Sequence, residues 1–312
     1  MRLEGAGIPF SIVDIRKSRR YAQVTRITDV CDLVALENAI EPGCVIVHLA
    51  AEHRDDVRPL SRYRQVNSEG TLNVCAAASK RHVDTIVFTS SVAVYGFARL
   101  GTGEDGEIKP FNAYGQTKYE AEELLRRWQA AEPQRRSLSI IRPTVVFGEQ
   151  NRGNVYNLLR QIASGRFLMV GKGINRKSLA YVENVAAFIE FLATMGPGVR
   201  TSNYIDKPDF TMNELVSSVL RLLGRNERIR WRIPFIIALW GGYLMDIYGR
   251  VLNKKPSVTS MRVRKFCADS VYTTASSDLG FLPPVALTDA LEQTVKYEFL
   301  ERHANDEVFY SE

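Results

Sequence analysis

Thr85-Ile86-Val87-Phe88-Thr89-Ser90-Ser91-Val92-Ala93-Val94-Tyr95-Gly96 decides the fold class. An unbroken β-branched and aromatic run leads directly into small hydroxyl residues and then a glycine. A short strand without polar alternation is one covered on both faces, as in a parallel sheet flanked by helices. The same unit recurs outward from it. Upstream, 10–14, 23–27 and 44–49 read as strands, and 33–40 and 61–81 as helices. Downstream, 114–131 reads as a helix with Pro133 just beyond it, and 138–142 as a strand. Strands alternating with helices give right-handed βαβ units and a doubly wound parallel sheet.

After Arg142 the rhythm changes. Loop-like 143–154 is followed by a helix at 155–164, a polar, basic stretch at 171–178, a helix at 181–193, a short strand at 203–205 and a helix at 212–223. We expect one α/β domain over 1–145 and a smaller α+β domain over 146–312, interleaved around 175–205. The chain has 312 residues, 45% hydrophobic and 24% charged, which excludes disordered, collagen-like and coiled-coil classes. Its net charge of +6 is spread along the chain and suits an anionic small molecule, not a nucleic acid. Cys31, Cys44, Cys75 and Cys267 form no Cys-x-x-Cys pair and read as reduced thiols. His48, His53, His82 and His303 have no metal-ligand spacing, so no metal site is expected. The N-terminus lacks an apolar signal core, and a cytoplasmic location is expected. The apolar stretch 233–252 is interrupted by Asp246, Arg250 and glycines. It reads as a core helix pair or a docked surface helix, with peripheral membrane contact the disfavoured reading.

Two features carry chemistry. Tyr114-Gly115-Gln116-Thr117-Lys118 sets a Tyr and a Lys four apart on one helix face. A free phenol titrates near 10, and an adjacent ammonium lowers that value. The phenolate so formed takes a proton from a hydroxyl. A solvated helix face is the alternative for this pair alone. Ser91, at the carboxyl end of its strand, lies where open α/β sheets bind ligands. The front of the chain is different. Leu3-Glu4-Gly5-Ala6-Gly7 reads as the end of a helix with a glycine cap, and Asp14 ends the first strand with no Gly-x-Gly-x-x-Gly before it. The expected fold therefore lacks its first strand and Gly-rich loop, through a shortened chain or a lost cofactor site.

These residues resemble the extended short-chain dehydrogenase/reductase family, NAD-dependent epimerase/dehydratase group, over about 10–297. The resemblance implies a Rossmann-type first domain. It implies a catalytic trio of Ser91, Tyr114 and Lys118. It places Asp14 at the cofactor ribose, Asp29 and Val30 at the adenine, and Leu49, Ala50 and Ala51 over the cofactor. Asn67 belongs to a family-like Asn-x-x-Gly-Thr-x-Asn helix, and Pro143 flanks the nicotinamide. NAD is the implied cofactor, with NADP as the alternative because Arg16, Lys17, Arg19 and Arg20 follow Asp14. Val92 and Ala93 stand where the family's dehydratases carry an acid and a base, so dehydration is disfavoured. Arg152, Asn154, Arg176 and Ser178, with Ser91 and Val92, are the expected substrate contacts. The implied activity is that of a nucleotide-sugar 4-epimerase of the UDP-hexose type, working through a 4-keto intermediate. Alternatives are a reductase or dehydrogenase of a keto-sugar or sterol-like alcohol, or a non-catalytic relative. The resemblance also implies a homodimer through the helices 61–81 and 114–131.

Overall fold

The computed structural model describes residues 2–54, 57–252, 259–301 and 303. The strands are β1 (Ile12–Asp14), β2 (Thr25–Ile27), β3 (Val45–His48), β4 (Thr85–Thr89), β5 (Ser137–Pro143), β6 (Val145–Phe147), β7 (Met169–Val170), β8 (Arg176–Tyr181), β9 (Gly198–Tyr204), β10 (Asp206–Thr211) and β11 (Arg232–Ile233). The helices are α1 (Arg2–Gly5), α2 (Leu33–Ala39), α3 (Ser61–Tyr63), α4 (Gly70–Lys80), α5 (Ala113–Ala130), α6 (Asn154–Ala163), α7 (Val182–Ala193), α8 (Met212–Leu222), α9 (Phe235–Val251), α10 (Ser260–Cys267) and α11 (Leu287–Phe299).

Four parallel strands in the order β3–β4–β5–β9 form the principal sheet. The period-two geometry of β4 explains why its sequence shows no alternation. Ile86 and Phe88 point into a core shared with Leu125 and Trp128 of α5 and Ala77 and Ala78 of α4. Val87, between them, points the other way, into a core with Phe188 and Leu192 of α7. Both faces are covered, as the apolar run predicts. The 61–81 helix is also present, with a π-helical segment over Arg64–Glu69 joining α3 to α4. β1 and β2 pair in parallel as a separate two-stranded sheet, with Asp14 opposite Ile27. Among the described residues, β3 is an edge of the principal sheet, with Val45 and Val47 47% and 38% exposed. At the front, α1 ends as its glycines predict. Gly7 adopts a positive φ of 66° while Ile8 N–H reaches Leu3 O.

The second half folds around β6, β8 and β10 and the helices α6, α8 and α11, whose Leu159, Val219 and Leu291 share one core. β9 leaves this half to join the principal sheet beside β5. Strands β8 and β10 were not expected. The polar start of β8 conceals it, because Lys177 donates to the carbonyls of Lys265 and Ala268 and Ser178 to the Asp209 carboxylate. Of the two readings of 233–252, a core helix pair and a docked surface helix, the second is the one that forms. α9 lies on the surface with Ile236, Trp240, Leu244 and Ile247 exposed. Among the described residues, no helix is long and apolar enough to cross a membrane.

Candidate active site

Ser91 leaves β4 and caps the single helical turn Val92–Tyr95. Its Oγ accepts the N–H of Ala93 at 3.1 Å, which leaves the hydroxyl proton to donate outward. The following turn supports α5. A side chain added at Gly115 would place its Cβ 2.5 Å from Ala93 O, so only glycine permits this approach. Asn112 caps α5 by accepting the N–H of Gly115 at 2.9 Å. The cap and the glycine together set Tyr114, in the first turn of α5, against the Ser91 turn. Lys118 follows one turn on. It is only 2% exposed, and its ammonium lies 4.2 Å from the centroid of the Phe88 ring. Burial pulls its pKa down to about 7, against the opposing pull of Glu122. His48, at the end of β3, bonds Thr71 Oγ1 at 2.9 Å, and burial followed by the charge of Lys118 holds its pKa down at about 3. The imidazole is therefore neutral and structural.

One buried network is not read from the sequence. Arg142, on β5, donates from Nε to Glu122 Oε1 at 2.9 Å and from Nη2 to Oε2 at 2.6 Å. Its Nη1 reaches Tyr95 Oη at 2.7 Å and Glu104 O at 3.1 Å. Tyr95 donates in turn to Asn203 Oδ1 at 2.8 Å. Arg142 thus joins α5, β5, β9 and the Ser91 turn under the Tyr114–Lys118 pair. Its pKa is raised by Glu122 against the opposing effect of burial, the largest single influence on it. The available signal was Glu122 itself, four residues beyond Lys118 on the same helix face.

The expected cofactor residues divide in two. Asp14 ends β1 exposed, with one carboxylate oxygen accepting Arg16 N–H at 2.8 Å. Asp29 caps its own turn at Cys31 N, and that bond holds its pKa below the usual range. Val30 is fixed by Asn73, which donates to its carbonyl at 2.9 Å. Leu49, Ala50 and Ala51 lie on the partly open loop after β3. Asn67 is 2% exposed, and its amide is fully engaged by protein. It accepts Glu52 N–H at 2.7 Å and donates to Glu52 O at 3.0 Å and Thr117 Oγ1 at 2.9 Å. Asn67 therefore ties the 49–52 loop to α5. Pro143 ends β5, half-buried, opposite Tyr204.

The expected substrate residues are more scattered. Val92 is half-buried in the Ser91 turn. Arg152 lies over the Tyr156 ring at 4.8 Å and approaches Glu298 at 3.4 Å. Asn154 is exposed at the first position of α6. Arg176 is exposed, and its backbone N–H is bound by Asp269 at 2.7 Å. Ser178 is buried between Asp209 and Tyr272 N–H and works within the fold. A cavity of about 310 Å³ opens in the second half, lined by Val170–Asn175, Phe235 and Cys267. Ser91, Tyr114 and Lys118 do not line it.

The family model described as the NAD dependent epimerase/dehydratase family matches residues 2–203. The chain belongs to that family. An Escherichia coli O157:H7 relative named N-acetyl-alpha-D-glucosaminyl-diphospho-ditrans,octacis-undecaprenol 4-epimerase is 47% identical over 99% of this chain and 95% of its own length. The UDP-N-acetylglucosamine 4-epimerase of Bacillus cereus superposes with a TM-score of 0.74 at 16% identity, over 99% of this chain and 93% of that one. The UDP-glucuronic acid 4-epimerase of the same organism, solved with NAD, superposes with a TM-score of 0.66 at 18% identity, over 88% and 79%. The two structural likenesses establish the Rossmann-type epimerase fold for this family member. Of the residues expected at NAD, Asp14 presents an exposed carboxylate and Lys118 a buried amine. Among the described residues there is no Gly-rich strand-to-helix turn for the diphosphate.

Proposed function

We propose that this family member is a sugar 4-epimerase acting on a hexose carried by a diphosphate, through a transient 4-keto sugar. The observation that carries this reading is the placement of Tyr114 on α5 against the Ser91 turn, with Lys118 buried one turn on. NAD, when bound, supplies the hydride acceptor and donor. Tyr114 takes the proton of the 4-hydroxyl, and the Lys118 ammonium favours its phenolate. Ser91 donates its hydroxyl proton to the reacting oxygen. Val92 and Ala93 carry no proton, so the turn offers nothing for elimination of water. After the 4-keto sugar turns over, Tyr114 returns the proton as hydride adds to the other face.

The diphosphate carries a polyprenyl chain in our first reading and a nucleoside in the second. The 47% relative, named for a lipid-linked sugar, favours the first. So does Phe235, which lines the second-half cavity at the very start of apolar α9. The test is a parallel assay of a polyprenyl-diphosphate-linked N-acetylglucosamine and of UDP-N-acetylglucosamine, with C4 configuration read by NMR. Inversion at C4 without net consumption of NAD supports the epimerase. Stoichiometric production of NADH would establish a dehydrogenase instead, and turnover of the UDP-sugar alone would select the second reading.

A further inference from the structure

We propose that α9 and its basic flanks form an in-plane docking surface for an anionic lipid bilayer. The helix packs the wrong way round for one whose neighbours are protein and water. It meets α10 through small and polar residues. Gly242 lies so close to α10 that a Cβ there would stand 2.7 Å from Ser260 N, and Asp246 accepts the Ser260 N–H at 3.2 Å. Its outer face is large and apolar. Trp240 and Leu244 are each 66% exposed, and Ile236, Ile237 and Ile247 stand beside them on the same stripe. A surface helix in water turns its apolar stripe inward. Here the stripe is outward along roughly 17 Å of helix.

The charge around the stripe identifies the occupant. Between 225 and 268 the sequence has ten Lys and Arg against two Asp and Glu. Arg225, Arg228, Arg230 and Arg232 lead into α9 and are all exposed. Arg262 and Arg264 are exposed on α10, the helix packed against it. Glu227 is engaged by Arg221 at 2.8 Å, and Asp246 faces inward. Trp231 is 65% exposed among the leading arginines, where an amphipathic ring belongs at a headgroup boundary. An apolar stripe flanked by exposed cations is complementary to an anionic headgroup layer over hydrocarbon. A second protein copy would meet the same positive charge. α9 has 17 residues, and no helix among the described residues is long and apolar enough to cross, so the helix lies on the bilayer. This inference stands on α9 and its flanks, and holds or fails independently of the epimerase reading.

The test is co-sedimentation of the full chain with phosphatidylglycerol–phosphatidylcholine vesicles and with phosphatidylcholine vesicles alone. The wild-type chain binds the anionic vesicles, and added salt weakens the binding. The double variant Trp240→Glu, Leu244→Glu melts like the wild type and loses roughly tenfold or more in partition coefficient. Arg225→Gln with Arg230→Gln weakens binding about fivefold for each charge removed and leaves α9 intact. A wild-type chain that stays in the supernatant with anionic vesicles overturns the proposal. So does a Glu double variant that binds as tightly as wild type. Self-association that the double variant abolishes, without vesicle binding, would assign the face to a second copy. Turnover of a water-soluble, short-chain substrate is measured alongside. Its loss in the wild type would count against the epimerase and leave the docking result standing.

Discussion

Glu122 takes two nitrogens of the Arg142 guanidinium, at 2.9 Å and 2.6 Å, one helical turn beyond Lys118. Both side chains are almost completely buried. An ion pair in that setting has given up its hydration, so its value lies in where it holds its elements. It fixes the register of α5 over β5, and with it the position of Tyr114 above the strand ends. Glu122→Gln or Arg142→Met leaves one partner buried and unpaired, and should destabilise the fold by about 3–5 kcal/mol. Denaturant unfolding checks this. The double variant Glu122→Leu, Arg142→Met should recover much of that stability and little of the activity.

Tyr114→Phe removes the proton carrier and keeps the ring. Turnover should fall about 10²–10⁴-fold, with the melting temperature unchanged. Rates comparable with wild type would remove Tyr114 from the role of base.

Gly115→Ala tests positioning without touching a reacting group. The new Cβ would meet Ala93 O at 2.5 Å, so the start of α5 must shift away from Ser91. A displacement of about 1 Å in a reacting geometry lowers the rate on the order of 10²-fold. The fall should be in kcat more than in KM.

Lys118 gives a signed pH effect. Its folded pKa of about 7 lies below the ordinary Lys value of 10.5. Between those values the unfolded chain holds a proton that the folded chain does not. Stability from this group is therefore complete above 10.5 and is lost as the pH falls through 7. Lys118→Met removes the buried ammonium and should stabilise the fold near about pH 6, by roughly 3 kcal/mol more than near about pH 9. The same variant should lose turnover. Thermal melts across that range settle the sign.

The sequence and the structure agree most closely where burial is uniform. The run 85–89 and the helix 114–131 were legible because both faces of the sheet demand apolar residues and an amphipathic helix must cover one of them. Ser91, Tyr114 and Lys118 were legible because their spacing is a property of one turn and one helix. Arg142–Glu122 was not, because an ion pair 20 residues apart is set by tertiary packing. Asn67 was read as a cofactor contact, and its bonds to Glu52 and Thr117, made from a π-helical segment, were not legible. Ser178 was read as a substrate contact and is buried, since β8 hides its strand character behind internally satisfied polar groups. The 233–252 stretch was read as helix with core and surface both left open, because apolar composition alone does not say which face meets solvent.

Val92 and Ala93 have one more consequence for the reaction. With no second acid or base on the turn, the same phenol must serve both directions of the exchange. No arrangement of catalytic residues shifts the equilibrium between the two epimers. The ratio at rest is then fixed by the ground-state energies of the two sugars. Net flux in the proposed reaction follows whichever later step withdraws one epimer, so direction is imposed by downstream demand.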